Sequence, residues 1–126
     1  MKSLKKTQFE HEYNAWTRKL EFFAQENALL KYRLSEMVDN NEGNNFLLMA
    51  EYFQNELLLK DEMLEKLIKE LQEFSGLLGR FRSEQKLSEK ITTYHNKLRK
   101  GILQFEKKFL NLSNEFNEKM LENTAH

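Results

Sequence analysis

The chain has 126 residues, no net charge at pH 7, and neither proline nor cysteine. That length is enough for one domain with a real core, while the lack of cysteine excludes disulfides, thiol catalysis and thiolate metal sites. At 40% apolar and 32% charged the chain is too hydrophobic and too patterned to be disordered, and without proline its helices can run unbroken.

The opening "MKSLKKTQF" is basic, but no apolar run follows it, so no secretory signal is expected. The most apolar stretch, "FLLMAEYF", is far shorter than the roughly 20 residues needed to cross a bilayer. No membrane span is expected, and the default location is cytoplasmic.

The first segment places Phe9, Tyr13, Trp16, Leu20, Phe23, Asn27, Leu30, Leu34 and Met37 at gaps alternating four and three. This is the heptad rhythm of a helix packed along its length, and it predicts a helix over about residues 5–38. "VDNNEGNN", residues 38–45, then breaks the pattern with turn-forming Asp, Asn and Gly. Asn44 or Asn45 is the expected cap of the next helix.

The second stripe runs Phe46, Ala50, Phe53, Leu57, Lys60, Leu64, Leu67, Leu71, Phe74 and Leu78, predicting a helix over about 45–78. In "SGLLGRFRSEQ", residues 75–85, two glycines precede a charged stretch. The expected reading is a fraying helix end and a short turn, with Ser83 as a cap. The third stripe is Leu87, Ile91, Tyr94, Leu98, Ile102, Phe105, Phe109, Leu112, Phe116 and Met120, a helix over about 84–121. Two successive gaps of four at Tyr94–Leu98–Ile102, beside Gly101, form a stutter that locally relaxes a left-handed supercoil. The tail "ENTAH" should fray.

Three helices of similar length joined by short loops run alternately up, down and up. The expected fold is all-α: one helical domain over residues 1–126, an elongated antiparallel three-helix bundle with coiled-coil-like heptad packing. Ala15, Phe22 and Leu29 add a second apolar heptad position to the first helix. A helix with two apolar faces needs two neighbours. The outline is similar to that of spectrin-type repeats, which share an aromatic-rich first helix such as the one carrying Trp16. The likeness is one of architecture, because no distinctive motif follows the tryptophan.

Two polar residues interrupt the apolar stripes. Asn27 should stand level with Leu57 across the first turn, with Lys60 about one helical turn away. Reflection through the second turn puts Gly101 near the height of Lys60, so Asn27, Lys60 and Gly101 are expected in one slab. A buried amide facing leucine leaves its polar atoms unsatisfied at about 1–3 kcal/mol. A polar core layer of Asn27 and Lys60 would therefore penalise slipped registers. Glu26 or Glu56 would neutralise the lysine, which can otherwise snorkel. The nine residues "ENALLKYRL" around Asn27 resemble the zipper half of a basic-leucine-zipper protein. The resemblance stops there: "FEHEYNAWTRKLEFF" upstream offers no arginine-rich helix for a major groove.

Charge is unevenly spread. Residues 43–76 carry three basic and seven acidic side chains, and residues 77–126 carry ten basic and six acidic. Opposite signs on consecutive helices favour their antiparallel pairing. Residues 80–108 alone hold nine basic and three acidic residues. Arg80, Arg82, Lys86, Lys90, Lys97, Arg99 and Lys100 form the alternative anion-binding set, for nucleic acid or another polyanion. Their scatter around the helix and the neutral whole weigh against it.

No catalytic, cofactor or metal motif is evident. Di-iron bundles need Glu three residues before His, but Gln8 precedes His11 and Thr92 precedes His95. The glycines of "SGLLG" follow no strand, as a phosphate loop requires. No enzyme activity, cofactor or small-molecule substrate is expected. His95 is expected to be a hydrogen-bonding residue at the core edge near Trp16. "FLLMAEYFQNELLLKDEML", residues 46–64, carries apolar residues nearly all round the helix. Leu48, Tyr52 and Leu59, flanked by Met49 and Met63, lie off the main stripe and form the expected interface with a protein partner or a second copy.

Overall fold

The computed structural model describes the backbone of residues 2–40, 43–80 and 85–124, and the side chains of 6–40, 43–80 and 88–123. Three helices account for nearly all of it: α1 (Lys2–Asp39), α2 (Asn44–Gly79) and α3 (Gln85–Thr124). They contain 38, 36 and 40 residues, so each rod is about 55–60 Å long at about 1.5 Å per residue. The sequence reading placed them at about 5–38, 45–78 and 84–121. Ser83 and Arg82 lie outside the described residues, as do the side chains of Lys86 and Leu87.

The side-chain contacts give the directions. Phe9 meets Phe74 near one end of the rods and Asn27 meets Leu57 farther along, so α1 and α2 are antiparallel. Phe53 meets Phe116 while Tyr94 reaches Glu73, so α2 and α3 are antiparallel too. Trp16–His95, Phe23–Phe105 and Arg33–Asn117 rise together, as they must when α1 and α3 are parallel. The molecule is an all-α antiparallel three-helix bundle.

The heptad stripes form the core. Phe53, Phe74, Phe105, Phe116, Leu57 and Ile91 are among its fully enclosed side chains. Edge-to-face packing of Phe23 on Phe105 (5.5 Å between centroids) and of Phe53 on Phe116 (5.3 Å) ties α3 to both partners. Such pairs add about 0.5–1.5 kcal/mol beyond their burial. Of the three helix pairs, α1 and α3 have the fewest close backbone approaches. Rings such as Phe23, Phe105 and Phe109 fill the space between them.

Four details correct the sequence reading. The cap of α2 is Gly43, extended at φ −68° and ψ 141°, with no side-chain cap bond. Its carbonyl accepts the Leu47 N–H at 3.0 Å, leaving Asn44 and Asn45 inside the helix. Second, α2 does not fray at its glycines. It continues through Gly76 to Gly79 with Leu77 and Leu78 buried, and the Arg80 N–H closes the last turn on the Gly76 and Leu77 carbonyls.

Third, Gly101 is not level with Lys60. A Cβ at Gly101 would stand 3.1 Å from Leu67 Cδ2, and Leu67 is one heptad, about 10 Å, along α2 from Lys60. The Phe53–Phe116, Tyr94–Glu73 and Lys97–Glu70 contacts likewise place the point of reflection later along the chain than the sequence implied. Glycine here lets α3 approach Leu67 closely. Fourth, Ala15, Phe22 and Leu29 are exposed, so none of the described residues covers the second face of α1. The aromatic spacers place α3 over the first stripe only.

Candidate association surface

On α2, Leu57 and Lys60 point inward, and helical spacing turns Leu48, Tyr52 and Leu59 outward on the flank nearer α3. Leu48 is 67% exposed, Tyr52 46% and Leu59 47%. Met49 and Met63 are half-buried at the inner border of this strip. The Tyr52 hydroxyl stands 3.4 Å from Glu115 Oε2. Partial burial, followed by the nearby charges of Glu115 and Glu56, raises its pKa above the ordinary tyrosine value. Exposed Glu51 and Glu62 follow Leu48 and Leu59 by three residues each, so the strip has an acidic rim. Leu47 and Leu58 are exposed on the flank toward α1. Outward leucines therefore occupy both borders of α2.

Beneath this surface lies the polar layer. Asn27 is fully buried and Lys60 is 6% exposed. The Asn27 amide donates to the Leu57 carbonyl at 3.0 Å and to Asp61 Oδ1 at 2.7 Å. Lys31 Nζ holds the other Asp61 oxygen at 2.5 Å. Lys60 faces Glu56 at 3.8 Å, not Glu26. The sequence reading missed Asp61 and Lys31, although a signal was present: each lies one turn after a residue of the predicted pair, Leu57 and Asn27. Among the described residues, Asn27 Oδ1 has no hydrogen-bond partner, at a cost of about 1–3 kcal/mol.

Among the described residues, the alternative anion-binding set falls into two separate clefts, Arg80 with Lys90 and Lys97 with Lys100. Lys97 lies 3.7 Å from Glu70 on α2 and over the Tyr94 ring. Arg80 and Lys90 border a cleft with Glu73 and Tyr94, whereas Lys100 lies beside Leu67 and Gly101. Arg99 is exposed two positions after Lys97, a step that turns it to another side of the helix.

Toward the other end of the bundle, His95 bonds Glu12 and packs on Phe9 (4.7 Å) and Trp16 (5.0 Å), a core-edge position. His11 is exposed. Next to His95, the Tyr94 hydroxyl donates to Glu73 at 2.5 Å. Burial first, then that hydrogen bond, then the charges of Glu73 and Glu70 hold Tyr94 protonated far above the usual tyrosine range. The unfolded chain loses this proton near pH 10 and the folded chain only at higher pH. The contribution is therefore fully present below pH 10 and declines as pH rises beyond it. The denaturation midpoint should fall between pH 9 and pH 11 in the wild type and fall less in Tyr94→Phe. Equal falls would remove Tyr94 as the cause.

Fold and surface together define a helical bundle whose exposed apolar strips lie along its rods. No helix among the described residues is long and apolar enough to cross a membrane. Comparison with known proteins gives no match: no family model fits the chain, and no curated protein and no solved structure matches it.

Proposed function

We propose that this protein is a non-catalytic helical bundle that works by protein–protein association through the Leu48, Tyr52 and Leu59 side of α2. The observation carrying this reading is the strip itself. Three large apolar side chains remain about half exposed or more on one flank of a helix whose inner stripe is otherwise sealed. Single exposed leucines are ordinary. An aligned row of them, bordered by Met49 and Met63 and rimmed by carboxylates, has the anatomy of a docking surface, with an apolar centre, adaptable methionines and a polar edge.

Leu48→Glu/Leu59→Glu places two charges in that centre while leaving the core intact. The variant should keep the helicity and melting temperature of the wild type. Its mass by light scattering should drop, or it should lose proteins that wild type captures from a cell extract. If mass and captured proteins are the same for both, the strip is not an interface.

A further inference from the structure

We propose that the surface receiving the α2 strip is the groove between α1 and α3 of a second copy of this chain. The inference rests on the reading above and names the partner. Lys19–Glu106 at 2.9 Å and Arg33–Asn117 at 3.1 Å mark the flanks on which α1 and α3 face each other. Phe22 follows Lys19 by three residues and Leu29 precedes Arg33 by four. Leu103 and Leu110 stand three before and four after Glu106. Helical spacing therefore sets all four beside this seam. Phe22 is 54% exposed, Leu29 50%, Leu103 53% and Leu110 48%, so they line its outer side, opposite α2. Farther along, the seam opens into a cleft of about 500 Å³ bordered by Met37, Met120 and Leu121.

Charge selects the occupant. Exposed Arg18, Arg33, Arg99, Lys100 and Lys107 each stand one turn from an apolar groove residue, as does Lys19; the acidic residues in the same relation are Glu26, Glu106, which Lys19 pairs, and Glu118. The α2 strip is rimmed by Glu51 and Glu62, and residues 43–76 carry seven acidic side chains against three basic. An acidic apolar strip and a basic apolar groove on one chain complement each other between copies. Within one copy they cannot meet, because α2 already occupies the inner side of the same helix pair. The groove spans about 30 Å along two rods together about 20 Å wide. The strip from Leu48 to Met63 runs about 22 Å along one rod about 10 Å wide, so it seats within the groove's length. Because strip and groove are different surfaces, the contact is head-to-tail, and it repeats from copy to copy until a ring closes or the protein runs out.

Two variants test this, each first checked for wild-type helicity: Leu48→Glu/Leu59→Glu lacks the strip, and Phe22→Glu/Leu110→Glu lacks the groove. Wild type should exceed the 15.2 kDa of one chain by light scattering, and each variant alone should be monomeric. Their equimolar mixture should double in mass, because one intact strip meets one intact groove and growth stops there. A groove variant with the mass of wild type would overturn the groove while leaving the α2 strip as an interface. A mixture that stays monomeric while wild type associates would show that one intact strip and one intact groove do not suffice for the contact, and would also overturn it. A monomeric wild type would end self-association. The α2 reading would then rest on captured proteins alone.

Discussion

Replacing Phe105 by alanine is expected to destabilise the bundle by about 3–5 kcal/mol, lowering the melting temperature by on the order of 10–20 °C. Phe105 is fully buried. Its ring packs against Phe23 on α1 at 5.5 Å and stacks near Phe109 on its own helix at 5.9 Å. Phe23 itself also touches Phe109. These rings are the spacer between two helices with few close backbone contacts, so the backbone has little capacity to collapse into the void. The cavity term is therefore expected at the upper part of its range. Domains of this size hold only about 5–15 kcal/mol in total, so the variant should be partly unfolded at modest denaturant. Gln104→Ala, an exposed neighbour, should stay within about 0.5 kcal/mol of wild type. Denaturant titration of the three proteins measures both numbers. A Phe105→Ala cost below 1 kcal/mol would mean that α3 is not packed on α1 as described.

The second large effect concerns Asn27, where two substitutions should act in opposite directions. Asn27→Asp replaces an amide nitrogen that donates to the Leu57 carbonyl and to Asp61 Oδ1. Oxygen would then face oxygen at both contacts, in a site with no solvent access. Lys31 is already held by Asp61. A cost of about 3–5 kcal/mol is expected for such an uncompensated buried charge. Asn27→Leu instead fills the same volume with an apolar group and removes the unpartnered Oδ1. Burial of leucine is worth about 1.5–3 kcal/mol and the lost hydrogen bonds about 1 kcal/mol each, so a net gain of roughly 1–2 kcal/mol is expected. The leucine variant should melt higher and associate less uniquely, because nothing then penalises a helix slipped by one heptad. Lower stability with unchanged association would remove the register account.

Asn27 also shows how far the sequence reached. Gaps of three and four placed it in the seam and set it level with Leu57, where its hydrogen bond is found. The same spacing marked Lys60 as inward, and it is buried. Asp61 escaped notice because a charged residue beside a stripe reads as solvated. Only the approach of α1 turns it into the partner of a buried amide. The exposed strip on α2 was legible as an excess of leucine. The groove between α1 and α3 was not, because Phe22 and Leu29 read as a face awaiting a neighbour within the chain.

By itself, the sequence determined three helices, their inward stripes and the two polar interruptions, since these follow from local periodicity and the cost of burying polar groups. The tertiary structure alone decided which second faces are covered and which residues stand level across the second turn. Coverage depends on how far bulky rings hold α3 from α1. Height depends on how α3 slides against α2, which packing settles: with Phe53 on Phe116 and Tyr94 on Glu73, Gly101 stands past Lys60, at Leu67.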